Sequence, residues 1–154
     1  MILIVILVIP LLASGLSFIP LGRRFAPAVT LIGAIAVLIA SLRVALRVAS
    51  GNRVVMTENW MSCDGLSALV LLLIALVGVT AALFSWGYVE KISHSSSHEK
   101  LRYYYANYNL FLLSLLAAPL FVELALVWIA VELTTLLSVL LVGFENTREA
   151  LEAA

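Results

Sequence analysis

The chain has 154 residues, of which 64% are hydrophobic and 12% charged, with a mean hydropathy of +1.14. A soluble domain is nearer half apolar and a quarter charged, so the composition excludes a water-soluble globular domain. It predicts an all-α integral membrane protein in which residues 1–154 form a single membrane domain. The formal net charge is zero, which gives no reason to expect a nucleic-acid partner.

Five apolar runs predict five transmembrane helices over residues 2–21, 28–46, 66–88, 104–122 and 124–144. About 20 helical residues, at ~1.5 Å each, cross a ~30 Å hydrocarbon core. The first run has that length and lacks a positively charged start, so we expect a retained span and not a signal peptide. Residues 147–154 resemble the start of a further helix, which then stops without a C-terminal signal. This pattern favours a piece of a longer protein over a frayed terminus.

Short polar connections separate these runs. Trp60 suits an interfacial anchor in the longest of the early connections, and Asp64 is expected to cap the third helix. Cys63, the single cysteine, is expected to be a small filler residue near that helix start. Glu123 lies between the fourth and fifth apolar runs and indicates a tight connection between them at the membrane interface. An aromatic belt is expected to open the fourth span, formed by Tyr103, Tyr104, Tyr105 and Tyr108.

The distribution of Lys and Arg predicts the orientation. More of these residues lie in connections on the side opposite the N-terminus, which favours an N-terminus outside the cytoplasm of a multi-pass protein of the inner (plasma) membrane. Arg43 and Arg47 are expected to snorkel to the interface, with a partner-subunit contact as the alternative. His94 and His98 have a spacing that suits metal ligands, but their serine-rich surroundings favour a solvated loop.

Glu132 is the strongest candidate for function, because it is an ionisable residue at the centre of the fifth apolar run. A charge at that depth costs ~2.5–3.5 kcal/mol on insertion scales. The side chain escapes this cost by pairing with a cation, by lining a hydrated cavity or by binding a proton. Glu132 is therefore a candidate proton or ion site. The alternative is a structural glutamate bonded to a neighbouring helix in a passive scaffold.

Helical spacing predicts the surroundings of Glu132. Trp128 and Thr135, which lie about one turn away on the same face, are candidate hydrogen-bond donors to the site. Ala125 and Val139 complete an expected interior-facing stripe. The opposite face is expected to contact lipid through Leu126, Leu133, Leu137 and Leu140.

The sequence contains no Walker, Rossmann, CxxC, HExxH or nucleophile-elbow pattern. We therefore expect no catalytic site and no metal or other cofactor in this chain.

A family resemblance runs from about Asp64 to Ala154. The segment WIAVELTTLLSVLLVGFENTREALEAA, from Trp128 to the end, resembles the fifth-helix region of antiporter-like membrane subunits. These subunits occur in respiratory complex I, Mrp-type cation/proton antiporters and membrane-bound hydrogenases. The run VELTTL, then LVGF and REALEAA, is most similar to the hydrogenase-4 and formate hydrogenlyase branch. Upstream, DGLSALVLLLIALVGVTAALFSWGY and YYANYNLFLLSLLAAPLFVELALVW resemble the third and fourth helices of the family.

The resemblance implies that Glu132 pairs with a lysine on a later helix and modulates a mid-membrane proton path. It implies a non-catalytic subunit of a redox-driven complex that moves protons or sodium, with iron–sulfur and nickel–iron sites in partner subunits. The five predicted spans end before any such lysine, so they form an incomplete antiporter-like bundle. The cation must then come from another chain or from a segment outside this sequence.

Two alternatives remain open at this point. The chain is a structural membrane anchor without an ion path, or it is the membrane partner of a bicarbonate uptake system that draws on the same family. In each case the expected partners are lipid and other membrane subunits.

Overall fold

The computed structural model describes residues 1–51, 54–55, 60–92 and 98–143. In chain order these form two helices, a small two-stranded sheet and three further helices. Their bounds are α1 (Ile2–Ser17), α2 (Phe25–Ala49), β1 (Val54–Val55), β2 (Ser62–Cys63), α3 (Gly65–Ile92), α4 (His98–Ala117) and α5 (Leu124–Val142). The predicted start of a helix at 147–154 lies outside the described residues.

The predicted all-α class is confirmed, since one helix lies on each apolar run. Three of the described helices are long and apolar enough to cross a membrane: Phe25–Ala49, Gly65–Gly87 and Leu124–Val142. Helix α1 is apolar but shorter, and α4 carries several tyrosines and asparagines. The helices therefore indicate a multi-pass membrane protein, while a count of five spans stays a prediction.

The helix ends differ from the predicted spans in two places. Helix α4 begins at His98, six residues before the predicted start of the fourth span, so His98 lies in a helix and not in the expected loop. His94 lies outside the described residues. Helix α4 also stops at Ala117 and not near 122. Pro119 explains this end, because it has no N–H and disfavours a helical conformation for the residue before it.

A small β-structure, which the sequence did not predict, lies at the end of the bundle where α4 meets α5. Strands β1 and β2 are antiparallel, with Val54 opposite Cys63. The α4–α5 connection pairs with this hairpin through Ser62 N–H to Leu120 O (3.0 Å) and Val122 N–H to Trp60 O (3.1 Å). This pairing satisfies backbone groups of a connection that was expected to be only a tight turn.

The entry into α3 matches its prediction. The Asp64 carboxylate accepts the Ser67 N–H at 2.8 Å, which satisfies one free donor of the first turn. Cys63 is buried in the main core, as expected for a filler residue. Burial raises the pKa of the Cys63 thiol, and the nearby Asp64 carboxylate raises it further.

Helices α1 to α4 form the packed part of the molecule. Helix α2 packs on α1 and α3, and α1 also packs on α4. The α1–α2 contact is close: a Cβ on Gly33 would lie 3.3 Å from the Ala13 Cβ. Small residues at such a crossing let two helix backbones approach, which is how membrane helices gain packing energy. Leu3, Ile6, Val37, Leu71 and Leu116 lie at the centre of this core.

The tyrosines of α4 do not form the expected aromatic belt as a group. Tyr105 and Tyr108 are buried inside the bundle. The Tyr108 hydroxyl donates to Gly78 O at 2.6 Å, and the Tyr105 hydroxyl donates to Ser85 O at 3.3 Å. The two side chains face inward because α3 offers backbone carbonyls at the right depth. Tyr103 remains exposed, as a belt residue would.

Candidate functional site

Helix α5, which carries Glu132, is an edge helix. In its most apolar stretch of 18 residues, only 11% of the residues are buried by the rest of the chain. The corresponding fractions are 39% for α2 and 28% for α3. Its main neighbour is α4. The residues of α5 that are fully buried are Ala130 and Leu137, and Leu141 reaches the small core around Ala34, Ala82 and Tyr108. One side of α5 is therefore covered and the other is not.

A hydrogen bond between side chains fixes α5 to α4. The Thr134 hydroxyl donates to the Ser114 hydroxyl at 2.9 Å, and Ala130 O, 2.8 Å away, is the competing acceptor for the same hydrogen. Ser114 is buried and bonds to Phe111 O at 2.8 Å. This hydrogen bond within an apolar interface sets the rotation of α5 about its axis, because turning the helix would separate the two hydroxyls and break the bond between them.

Glu132 lies at the middle of α5 and is exposed. It is two residues from both Ala130 and Thr134, which is a rotation of about 200° on an α-helix. The carboxylate therefore projects from the side opposite α4. Within the described residues, no side chain forms an ion pair or hydrogen bond with it. This arrangement corrects the expected faces: Leu137, predicted to contact lipid, is 5% exposed, and the Glu132 side faces away from the bundle.

The two candidate neighbours of Glu132 lie on the same uncovered side. Trp128 is 65% exposed and lines a shallow apolar groove with Leu124 and Val131. The Thr135 hydroxyl donates to the backbone oxygen of Glu132 at 2.7 Å. Its hydrogen is thus used within the helix, and only its lone pairs stay available, as acceptors from an incoming donor. The expected role of both residues at the site stays a prediction.

We call this uncovered side the open face of α5; it consists of Trp128, Val131, Glu132, Thr135, Leu136 and Val139. The face is apolar except for the carboxylate and one hydroxyl. A charged side chain facing hydrocarbon at the middle of a span is costly. The open face is therefore suited to contact with protein or with a hydrated cavity at the level of the carboxylate.

Buried polar residues inside the bundle were missed in the sequence. Asn109 is 1% exposed and donates to Thr30 Oγ1 and to Tyr105 O, both at 2.8 Å. The Ser14 hydroxyl donates to Ala106 O at 3.1 Å. These bonds join α4 to α2 and α1. The asparagine inside an apolar run could have predicted this contact, since polar residues in membrane helices usually face other helices.

The described residues contain no group of three or more His, Cys, Asp or Glu side chains that could hold a metal ion.

Comparison with known proteins identifies relatives of this chain. No family model matches it. It is 36% identical over 94 residues to a hydrogenase-4 component F homolog of Methylacidiphilum infernorum, covering 59% of the chain and 20% of that relative. It is 32% identical over 157 residues to a Na(+)/H(+) antiporter subunit A1 of Staphylococcus aureus, covering 96% of the chain and 18% of that relative. A Staphylococcus haemolyticus subunit A1 is 34% identical over 110 residues, covering 66% of the chain and 13% of that relative.

The chain thus spans a fifth or less of the length of these relatives. The two kinds of relative correspond to two of the three kinds of complex that the sequence resemblance named, the hydrogenases and the cation/proton antiporters. The apolar helices and these relatives together confirm that resemblance: the chain is a multi-pass membrane protein related in sequence to the antiporter-like membrane subunits.

Proposed function

We propose that the chain takes part in redox-driven translocation of protons or sodium, as a non-catalytic membrane subunit in which Glu132 is a charge-switching site. One observation carries the proposal: the mid-membrane carboxylate lies on the open face of α5 without a described partner. The names of the relatives, a hydrogenase-4 component and a Na(+)/H(+) antiporter subunit, support this class of function.

The switching role follows from the three states open to a carboxylate at this depth. It is stable when it pairs with a cation, when it is hydrated or when it is protonated. If a nearby cation moves away, protonation becomes the favourable state, and the proton is released when the cation returns. We propose that the cation is a lysine from another chain or from a segment outside the described residues, and that this segment covers the open face.

Trp128 and Thr135 would then support the site in different ways. The exposed indole lies one turn before Glu132 and can donate its N–H into the interface. The Thr135 oxygen can accept from a lysine ammonium that reaches Glu132. Neither side chain is turned toward α4, so both are free to meet an incoming segment.

The partners and location belong to the same proposal. The driving redox reaction would lie in partner subunits with iron–sulfur and nickel–iron sites, and the complex would lie in the inner membrane with the N-terminus of this chain outside the cytoplasm. The hydrogenase-type relative supports the redox partner. No described feature favours bicarbonate uptake over ion translocation.

The test is a comparison of two glutamate-to-glutamine variants in the native assembly. Glu132→Gln removes the exchangeable proton and charge while keeping the shape of the side chain. Glu123→Gln is the matched control, because this exposed residue immediately precedes the same helix. Because only Glu132 lies at the middle of an apolar span, we expect Glu132→Gln to lose most of the ion translocation and Glu123→Gln to keep it.

Subunit content and driving activity must be measured in the same samples. We expect both variants to assemble, since neither carboxylate packs against the described bundle. Normal translocation in assembled Glu132→Gln would contradict the proposal and favour the structural-anchor alternative.

A further inference from the structure

A groove between α1 and α2 combines an apolar floor with two cations at one end. Val5 and Ile9 of α1 form one wall, and Ala36, Ile39 and Ala40 of α2 form the other. Arg43 and Arg47 close the groove at the end where α2 finishes. Val5 and Ile39 are each about half exposed, at 48% and 50%, so the groove opens to the surroundings of the bundle.

The two arginines share one side of the helix at the boundary of the membrane. Residues four apart lie one above the other, about 6 Å apart along the axis. The uncharged part of α2 from Phe25 to Leu42 is about 27 Å long at ~1.5 Å per residue, close to a ~30 Å hydrocarbon core. Arg43 therefore lies at the edge of the hydrocarbon and Arg47 one turn further out, at the level of lipid headgroups.

The apolar part of the groove lies within one lipid leaflet. From Ala36 to Arg43 the helix rises about 10 Å, which is less than half of a hydrocarbon core, about 15 Å. Ala36 and Ala40 lie one turn apart, and their small side chains leave a channel beside Ile39. A chain of methylene groups can lie in this channel with its polar end at the arginines.

We propose that this groove binds one anionic phospholipid, with an acyl chain along Ala36 and Ala40 and its phosphate on Arg43 and Arg47. Guanidinium groups bind phosphate oxygens with two parallel hydrogen bonds. Neither guanidinium has a carboxylate partner within the described residues. A zwitterionic headgroup would bring an ammonium toward two cations, so charge favours an anionic one. The apolar floor favours lipid over an acidic segment of a partner subunit.

The first test counts lipids in the purified native assembly. After exchange with phosphatidylglycerol or phosphatidylethanolamine, bound lipid per chain is measured by native mass spectrometry. Each basic residue near an anionic lipid surface contributes about fivefold in affinity, so we expect R43Q/R47Q to bind phosphatidylglycerol about 30-fold more weakly. The matched control is K100Q/R102Q, which removes two cations near the start of α4, at the opposite end of the bundle. Unchanged retention in R43Q/R47Q, or equal loss in the control, would overturn the proposal.

A second test does not depend on charge. The A40F variant fills the groove and keeps both arginines, so bound phosphatidylglycerol should fall in an assembly of normal subunit content. In the unmodified groove, a photo-reactive residue at Ile39 should cross-link to phospholipid. A cross-link at this position to a protein subunit would overturn the lipid proposal and identify a partner contact instead. The lipid site and the function of Glu132 are independent, because they lie on different helices.

Discussion

Asn109 and Glu132 are both polar side chains inside apolar helices, but their surroundings differ. Asn109 is enclosed by α1–α4 and gives its amide hydrogens to Thr30 and Tyr105. Glu132 lies on the open face of α5, exposed and without a described partner. The first side chain completes its interactions within the chain and holds helices together. The second makes no such contact within the described residues, and we propose that its role is to meet a partner and not to hold this chain together.

Among the helices that pack around Asn109, the largest effect is expected from Gly78, the glycine whose added side chain would make the closest contact. A Cβ there would lie 2.9 Å from Leu112 Cδ1, beside the carbonyl that accepts the Tyr108 hydroxyl. We expect Gly78→Val to destabilise the protein by about 1–3 kcal/mol through overpacking. Gly87→Val is the control in the same helix, because a Cβ at Gly87 meets no atom within 4 Å. Thermal unfolding of the purified assembly measures both, and equal midpoints would contradict the close α3–α4 packing.

The next effect is expected from the enclosed asparagine. Asn109→Leu removes the bond to Thr30 and leaves that hydroxyl at 0% exposure without its donor. Interhelical hydrogen bonds in membranes contribute about 1–2 kcal/mol in model peptides and less in proteins, so we expect a loss of about 1 kcal/mol. Asn107→Leu, two residues away and only partly buried, should lose less. A larger loss of stability for Asn107→Leu would show that the Asn109–Thr30 bond does not hold α4 to α2.

Features inside the packed bundle could be predicted from the sequence better than the orientation of α5. The apolar runs, the Asp64 cap and the burial of Cys63 followed from sequence, because they depend on local composition. The covered side of α5 did not, and Leu137 was wrongly placed toward lipid. In water, alternation of polar and apolar residues tells which side of a helix is buried. In a membrane both sides are apolar, so leucines mark neither side and small or hydroxylated residues such as Ala130 and Thr134 mark the contact.

The β-structure was missed for a different reason. The pairing of Ser62 and Val122 with Leu120 and Trp60 joins parts of the chain that are far apart in sequence. Such pairing depends on the helices first bringing the two connections together. The position of Glu132 within its helix followed from sequence, whereas its outward direction required the Thr134–Ser114 link that fixes the rotation of α5.

A smaller effect is expected from that link. Thr134→Val removes a hydroxyl at nearly constant volume and breaks the 2.9 Å contact with Ser114. The average interhelical bond in a membrane protein contributes about 0.6 kcal/mol, which sets the expected loss. Thr80→Val is the control, because this exposed hydroxyl donates to Val77 O in its own helix and lies away from the open face. Thermal unfolding compares the two variants, and the link is rejected if Thr80→Val destabilises the assembly as much as Thr134→Val.

The central claim is that the open face of α5 is covered by a segment that brings a cation to Glu132. A photo-reactive residue in place of Leu136, one turn beyond Glu132 and 63% exposed, tests this most directly when it is activated in the native assembly. The account predicts a cross-link to a protein segment that carries a lysine near the attachment point. A cross-link to phospholipid alone would contradict it.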